Sequence, residues 1–203
     1  SRTKFYPHQF KPLIKFLDSD HGRILLADEV GLGKTIEAGF ILLEMLARQE
    51  LHRALVLCPA KLRNKWHREM FSKFSLEFDV LNTNSLLRLV RETQKNPGKA
   101  FRGIVSYETV RRQEARKALA GAAFDVDIVI ADEAHRMRNS ATNQHQAGRD
   151  LADMTSRMLL LTATPINNRS EDFFNLLRLL YPGLFGDFQF FKTITNTNRR
   201  VLG

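Results

Sequence analysis

Short, near-continuous apolar runs recur along the chain at 24–27, 54–57, 78–81, 104–106, 128–131 and 158–161. Each is too brief for a buried helix and reads as a strand covered on both faces. Between them, residues 35–48, 61–74, 84–93, 107–119 and 143–154 return apolar side chains at helical spacing. Strand and helix alternate, which predicts an α/β three-layer sandwich, a mostly parallel sheet with helices on both faces. Crossovers of one hand then set every strand end, and the loop after it, along one rim. Chemistry is expected just after strands.

The chain has 203 residues, 43% hydrophobic and 26% charged, a composition that excludes disordered and fibrous classes and fits one large domain or lobe at ~150 residues per domain. Cys58 stands alone, so a disulfide framework and a four-cysteine zinc site are excluded, and a reducing, cytoplasmic setting is expected. No run approaches the ~18 apolar residues of a membrane span. The start at Ser1 and the unpatterned end at Gly203 suggest a piece of a longer protein.

The net charge of +9 favours a polyanionic partner. Residues 61–73 net +4 and residues 88–117 net +6, so the excess is confined to two segments, although solvated helix faces produce similar runs.

After the first strand comes Asp28-Glu29-Val30-Gly31-Leu32-Gly33-Lys34-Thr35, and then a helical run. Gly31 and Gly33 let successive backbone N–H groups curl inward, and the helix N-terminus adds partial positive charge, which together cradle phosphate. Lys34 is expected to reach the β- and γ-phosphates of a bound nucleotide, and the Thr35 hydroxyl to take a place on Mg²⁺. Asp28 stands where the full phosphate-loop pattern has glycine. The fifth strand runs into Asp132-Glu133-Ala134-His135. Two carboxylates leaving a buried strand are costly to desolvate. Asp132 is assigned to the Mg²⁺ shell and Glu133 to the attacking water, against the plain alternative of helix capping. His135 has no second histidine at metal-ligand spacing, so no zinc is assigned.

Together these motifs resemble those of the Swi/Snf-type translocases of helicase superfamily two, in which an Asp-Glu pair leads the glycine loop. Tyr6-Pro7-His8-Gln9 is similar to the family's adenine-reading segment, with Gln9 the matching glutamine. Val56-Leu57-Cys58-Pro59 leading to Trp66 and Glu69, Ser106-Tyr107-Glu108, and Leu161-Thr162-Ala163-Thr164-Pro165-Ile166-Asn167-Asn168 resemble later motifs, in order, and 173–186 the helix and turn that follow. Glu37-Ala38-Gly39 is similar to bacterial and archaeal members, among them the ATPase that recycles RNA polymerase.

The resemblance implies a RecA-like fold, with residues 1–186 as the first of two lobes and residues 187–203 as an irregular tail leading toward the remainder. It implies ATP and Mg²⁺ at the cleft, arginine fingers from a second lobe, and coupling through His135, Thr162 and Thr164. The loops after the second and fourth strands would face double-stranded DNA, so Lys61, Arg63, Lys65, Arg111 and Arg112 are expected on phosphates. Trp66 reads as core rather than a base-stacking side chain. Two other functions stay open: an RNA helicase of the same superfamily, and an ATP-gated clamp that does not hydrolyse. No membrane partner is expected, and a nucleoid-associated location follows if the source is bacterial or archaeal.

Overall fold

A computed structural model describes residues 6–27, 33–120, 124–163, 170–184 and 187–193. Among these residues six strands form: β1 (Arg23–Ala27), β2 (Arg53–Cys58), β3 (Asp79–Val80), β4 (Phe101–Ser106), β5 (Val126–Asp132) and β6 (Thr155–Thr162). All pair in parallel, in the order β1-β6-β5-β2-β4-β3. The helices are α1 (Lys11–Leu17), α2 (Lys34–Ala47), α3 (Arg63–Phe74), α4 (Thr83–Lys95), α5 (Tyr107–Val110), α6 (Gln113–Ala120), α7 (Asn143–Asp153) and α8 (Ser170–Leu180). Among the described residues no helix is long and apolar enough to cross a membrane.

Strand alternation divides the interior into two cores. Val56 and Cys58 of β2, Ile128 and Ile130 of β5, and Leu159 and Leu161 of β6 meet Ile41 of α2 and Trp66, Met70 and Phe74 of α3. Leu55, Leu57, Val129, Ala131 and Leu160 point the other way, onto Leu86 of α4, Leu119 of α6, Leu151 of α7 and Leu179 of α8. Each fully buried Leu or Ile of this kind contributes roughly 1.5–3 kcal/mol. Asp132 continues the parity of Ile128 and Ile130, so its side chain falls on the α2/α3 face.

Local chemistry starts the helices. Asn82 and Ser85 form a reciprocal capping box at α4, while the Ser106 and Thr142 hydroxyls accept from the backbone N–H groups of Thr109 and His145 at the starts of α5 and α7. Gly39 of α2 lies so close to α3 that a Cβ would fall 2.2 Å from the Phe74 ring. That contact gives the Glu37-Ala38-Gly39 segment a packing role.

Several expectations change in detail. The helix expected at 107–119 is two helices that break at Arg111 and Arg112. Tyr107 and Val110 bury one apolar pair and Ala115 and Leu119 the next. The step from Val110 to Ala115 is too long to keep both pairs on one side of a continuous helix, so the chain turns and both reach the core. The third strand is only a two-residue exposed edge, with buried Phe78 and Leu81 outside the ladder, and short edge strands resist pairing with other chains. A 3₁₀ turn (Pro7–Phe10) leads into α1, an element that the apolar pattern does not signal. Within the tail expected to be irregular, 188–193 is helical and buried Phe191 packs against Phe173 and Phe174.

A cavity of about 1000 Å³ opens where β1 and β6 begin, lined by Arg23, Arg48, Arg157 and Tyr181 among others. It lies at the end of the sheet opposite the strand termini where chemistry is expected.

Candidate functional site

Ala27 pairs with Thr162 and Asp132 with Leu161, so β1, β6 and β5 finish level on one rim. Parallel neighbours lie ~4.8 Å apart, which separates Ala27 from Asp132 by about 10 Å. A triphosphate and its metal fit that span. Gly31, Asp28 and Thr164 lie outside the described residues.

At the β1 end, Gly33 caps α2 in the left-handed region, φ +98°, a conformation glycine adopts without steric cost. Lys34 and Thr35 occupy the first turn of α2, where backbone N–H groups point out along the axis and the helix dipole is positive. Gln9 is buried, and its Oε1 accepts from the Tyr6 backbone N–H at 3.0 Å. Its amide nitrogen lies over Gly33, where a Cβ would stand only 2.6 Å away. Gln9 and the helix start thus form one packed unit.

Asp132 is buried at the end of β5. Its Oδ2 accepts from the Trp66 indole N–H at 2.8 Å and its Oδ1 from the Glu133 backbone N–H at 2.9 Å. Its backbone carbonyl accepts from the Tyr107 hydroxyl, also at 2.8 Å. Burial pushes the Asp132 carboxyl above the usual aspartate range, the Trp66 bond and the Lys34 ammonium act against that shift, and the Glu133 charge adds to it. Lys34 and Glu133 thus both act electrostatically on Asp132.

Glu133 adopts φ +55° and ψ +45°, a left-handed turn that costs a non-glycine residue roughly 1–2 kcal/mol. The turn directs its carboxylate to His135, whose Nδ1 is 3.2 Å from Glu133 Oε2 and 3.5 Å from the buried Thr162 hydroxyl. Burial holds the His135 imidazole below its ordinary value, which keeps it neutral near pH 7. Of the expected coupling residues, His135 and Thr162 are thus in contact.

Mg²⁺ prefers hard oxygen ligands and usually keeps water and substrate phosphates in its shell, with one or two carboxylates from the protein. The donor set fits, because both Asp132 oxygens keep a second acceptor direction and Thr35 adds a hydroxyl on α2. Cys58 is buried, and desolvation pushes its thiol up to about 12, so it is neither nucleophile nor ligand.

The basic residues divide. Lys61 and Lys65 after β2, and Arg111 and Arg112 after β4, are exposed on the two strands that continue the rim beyond β5. Arg63 is half-buried and donates to the Ala60 and Leu81 carbonyls, each at 3.3 Å, so its guanidinium also braces the fold. The run 88–117 does not form one patch. Lys99 pairs with Glu92, and Arg102 donates to the Glu77 carbonyl at the far end of β4. A six-residue strand carries the chain ~20 Å between the two groups.

Sequence reasoning missed the aromatic contacts at Asp132. One signal was legible: Asp132 shares its strand face with Ile130, against the buried stripe Trp66, Met70 and Phe74. The tyrosine contact left no such trace.

The sheet order and this rim define a RecA-like α/β lobe. The chain belongs to the SNF2-related domain family, whose profile matches residues 9–200; these are Swi/Snf-type, helicase-like ATPases. It is 37% identical over 187 residues to an uncharacterised ATP-dependent helicase, YqhH, of Bacillus subtilis, a match that covers 92% of this chain and 31% of that protein. It is 34% identical over 194 residues to the RNA polymerase-associated protein RapA of Yersinia pestis, covering 94% of this chain and 20% of that one. The chain thus spans less than a third of either curated relative. The SWI2/SNF2 ATPase core of Sulfolobus solfataricus, solved in complex with double-stranded DNA, superposes with a TM-score of 0.72 at 27% identity, over 95% of this chain and 39% of that one. The same core solved as the ATPase core domain gives a TM-score of 0.69.

Proposed function

We propose that this chain is the ATP-binding lobe of a DNA-dependent ATPase that couples hydrolysis to movement along double-stranded DNA or to remodelling of protein–DNA complexes. The observation that carries the reading is the layout of one rim, with Lys34, Thr35, Asp132 and Glu133 on its β1–β6–β5 half and exposed Lys61, Lys65, Arg111 and Arg112 on its β2–β4 half. The archaeal core of the same fold was solved with duplex DNA, which favours DNA over RNA.

Residues divide the work by position. Gln9 holds the base side of the site against Gly33, where its amide can read the hydrogen-bonding edge of adenine. Lys34 places an ammonium against the β- and γ-phosphates, and N–H groups at the start of α2 donate to phosphate oxygens. Thr35 and Asp132 would hold Mg²⁺, which would supply positive charge against the phosphate oxygens. Glu133 orients the attacking water and accepts its proton. His135 links Glu133 to Thr162, so a change in the water-activating group is felt at the end of β6.

Arginines that complete the charge stabilisation are assigned to a second lobe, and the 203-residue chain should therefore bind Mg-ATP weakly and turn it over slowly. Exposed basic side chains meet DNA phosphates without reading bases, as sequence-indifferent stepping requires. The decisive test is Lys34→Ala in the full-length protein, assayed for ATPase with duplex DNA, duplex RNA or neither. Strong stimulation by duplex DNA that vanishes in the variant is expected. Unchanged turnover in the variant, or preferential stimulation by RNA, overturns the reading.

A further inference from the structure

Both segments that carry the exposed basic residues send one buried aromatic donor to the same acidic residue. Trp66 lies on α3 next to Lys65, is 1% exposed, and gives its indole N–H to Asp132 Oδ2 at 2.8 Å. Tyr107 opens α5, which ends just before Arg111, is 0% exposed, and gives its hydroxyl to the Asp132 carbonyl at 2.8 Å. Tyr107 also supports the turn beyond Asp132. The Arg136 guanidinium lies 5.9 Å above its ring and 3.8 Å from Glu108, the residue after Tyr107.

An indole N–H can only donate, and that of buried Trp66 is given to Asp132. Aromatic side chains buried for volume alone do not need an acceptor that a reaction also needs. Here the acceptor is the carboxylate assigned to the metal. The protein interior is close-packed, so α3 and α5 cannot shift without moving the donors they carry. A displacement of α3 is delivered to Oδ2, and a displacement of α5 to the backbone from which that carboxylate hangs.

We propose that Trp66 and Tyr107 are positioning residues that tie the aim of Asp132 to the two basic loops, so that seating duplex DNA on Lys61, Lys65, Arg111 and Arg112 orders the carboxylate for its metal. The inference rests on the Mg-ATP reading of this rim. Its content is narrower: two named donors set how DNA contact alters metal affinity. Loss of such a supporting partner to a metal ligand typically lowers metal affinity or activity about 10–100-fold.

The experiment uses Trp66→Phe and Tyr107→Phe in the full-length protein, with Asp132→Asn as reference. Binding of a fluorescent non-hydrolysable ATP analogue is titrated with Mg²⁺, with and without duplex DNA, alongside DNA-stimulated ATPase and thermal melting. The expected result is that the Mg²⁺ needed for half-maximal binding in the presence of DNA rises about tenfold in each Phe variant. DNA should no longer lower that concentration, while analogue binding at saturating Mg²⁺ is retained. Trp66→Phe leaves a small void and Tyr107→Phe removes one oxygen, so the tyrosine variant decides the matter if the tryptophan variant melts early. In the 203-residue chain Trp66 is the only tryptophan, and its fluorescence should change on adding Mg²⁺ and analogue, a change that Asp132→Asn abolishes. Phe variants that keep the wild-type Mg²⁺ requirement and its response to DNA overturn the proposal, provided Asp132→Asn still raises that requirement. If Asp132→Asn leaves it untouched as well, the Mg-ATP reading of the rim has failed instead.

Discussion

The Gln9 amide nitrogen occupies the space that a side chain at residue 33 would need, 2.6 Å from where a Cβ on Gly33 would stand. The glutamine and the glycine are therefore one fitted pair, although more than twenty positions separate them in the chain. Gly33→Ala adds a methyl to a left-handed residue and pushes the amide away. We expect it to cost about 1 kcal/mol of stability and to weaken nucleotide binding at least about tenfold, read by analogue titration. Gln9→Ala removes a buried side chain and its bond to the Tyr6 N–H, so it should cost about 1 kcal/mol of stability and blunt discrimination of ATP from GTP.

Glu133 holds a strained backbone for the sake of its carboxylate. Glu133→Gly relieves the left-handed turn and should stabilise the fold by about 1 kcal/mol in chemical denaturation while abolishing hydrolysis. Glu133→Gln, which keeps the strain, should bind nucleotide normally and fail to hydrolyse it. A glycine variant that retains ATPase activity would rule out this residue as the water-activating group.

Gly39 lets α2 approach the Phe74 ring of α3. Gly39→Ala should cost about 1–3 kcal/mol through overpacking of that contact, measured as a shift in the denaturation midpoint with an unchanged slope. A double variant with Phe74→Leu should recover part of the loss.

Acid should loosen the fold through two imidazoles, His145 buried and His135 half-buried. Burial holds His135 and His145 below the ordinary 6.5, so the unfolded chain takes up these protons first. Stability is then highest above 6.5 and falls as the pH drops through that value toward the lowered folded values. Melting temperature followed from about pH 8 to 5 should decline across this window, and His145→Gln should decline less steeply because one of the two contributions is gone.

Salt dependence separates the exposed basic residues from the engaged one. Replacing Arg111 and Arg112 together by Ala should flatten the slope of log affinity for duplex DNA against log salt by about two units and leave melting temperature nearly unchanged. Arg63→Ala removes its bond to the Leu81 carbonyl, so it should lower stability by about 1 kcal/mol as well as affinity.

Five of the apolar runs were sufficient for their strands because strands covered on both faces must be apolar throughout, a property of each segment by itself; the run at 78–81 gave only the exposed edge pair Asp79–Val80. For the same reason the Asp132-Glu133 pair and the helix start at Lys34 were legible: both follow a strand, and parallel topology sends strand ends to one rim. Helix phase was harder to read. The break at Arg111 and Arg112 arises because two apolar pairs must reach the same sheet, and no window of sequence contains the sheet.

Residue types and their order thus determined the layers, the rim and the cast of charged groups on it. Only the tertiary structure decided that Trp66 and Tyr107 share Asp132, that Glu133 turns left-handed toward His135, that Arg63 turns to the Leu81 carbonyl, and that one basic run splits between opposite ends. The physical reason is range. Periodicity and capping act over a few neighbouring residues, whereas a hydrogen bond from Trp66 to Asp132 depends on how two strands lie side by side and on which face each presents.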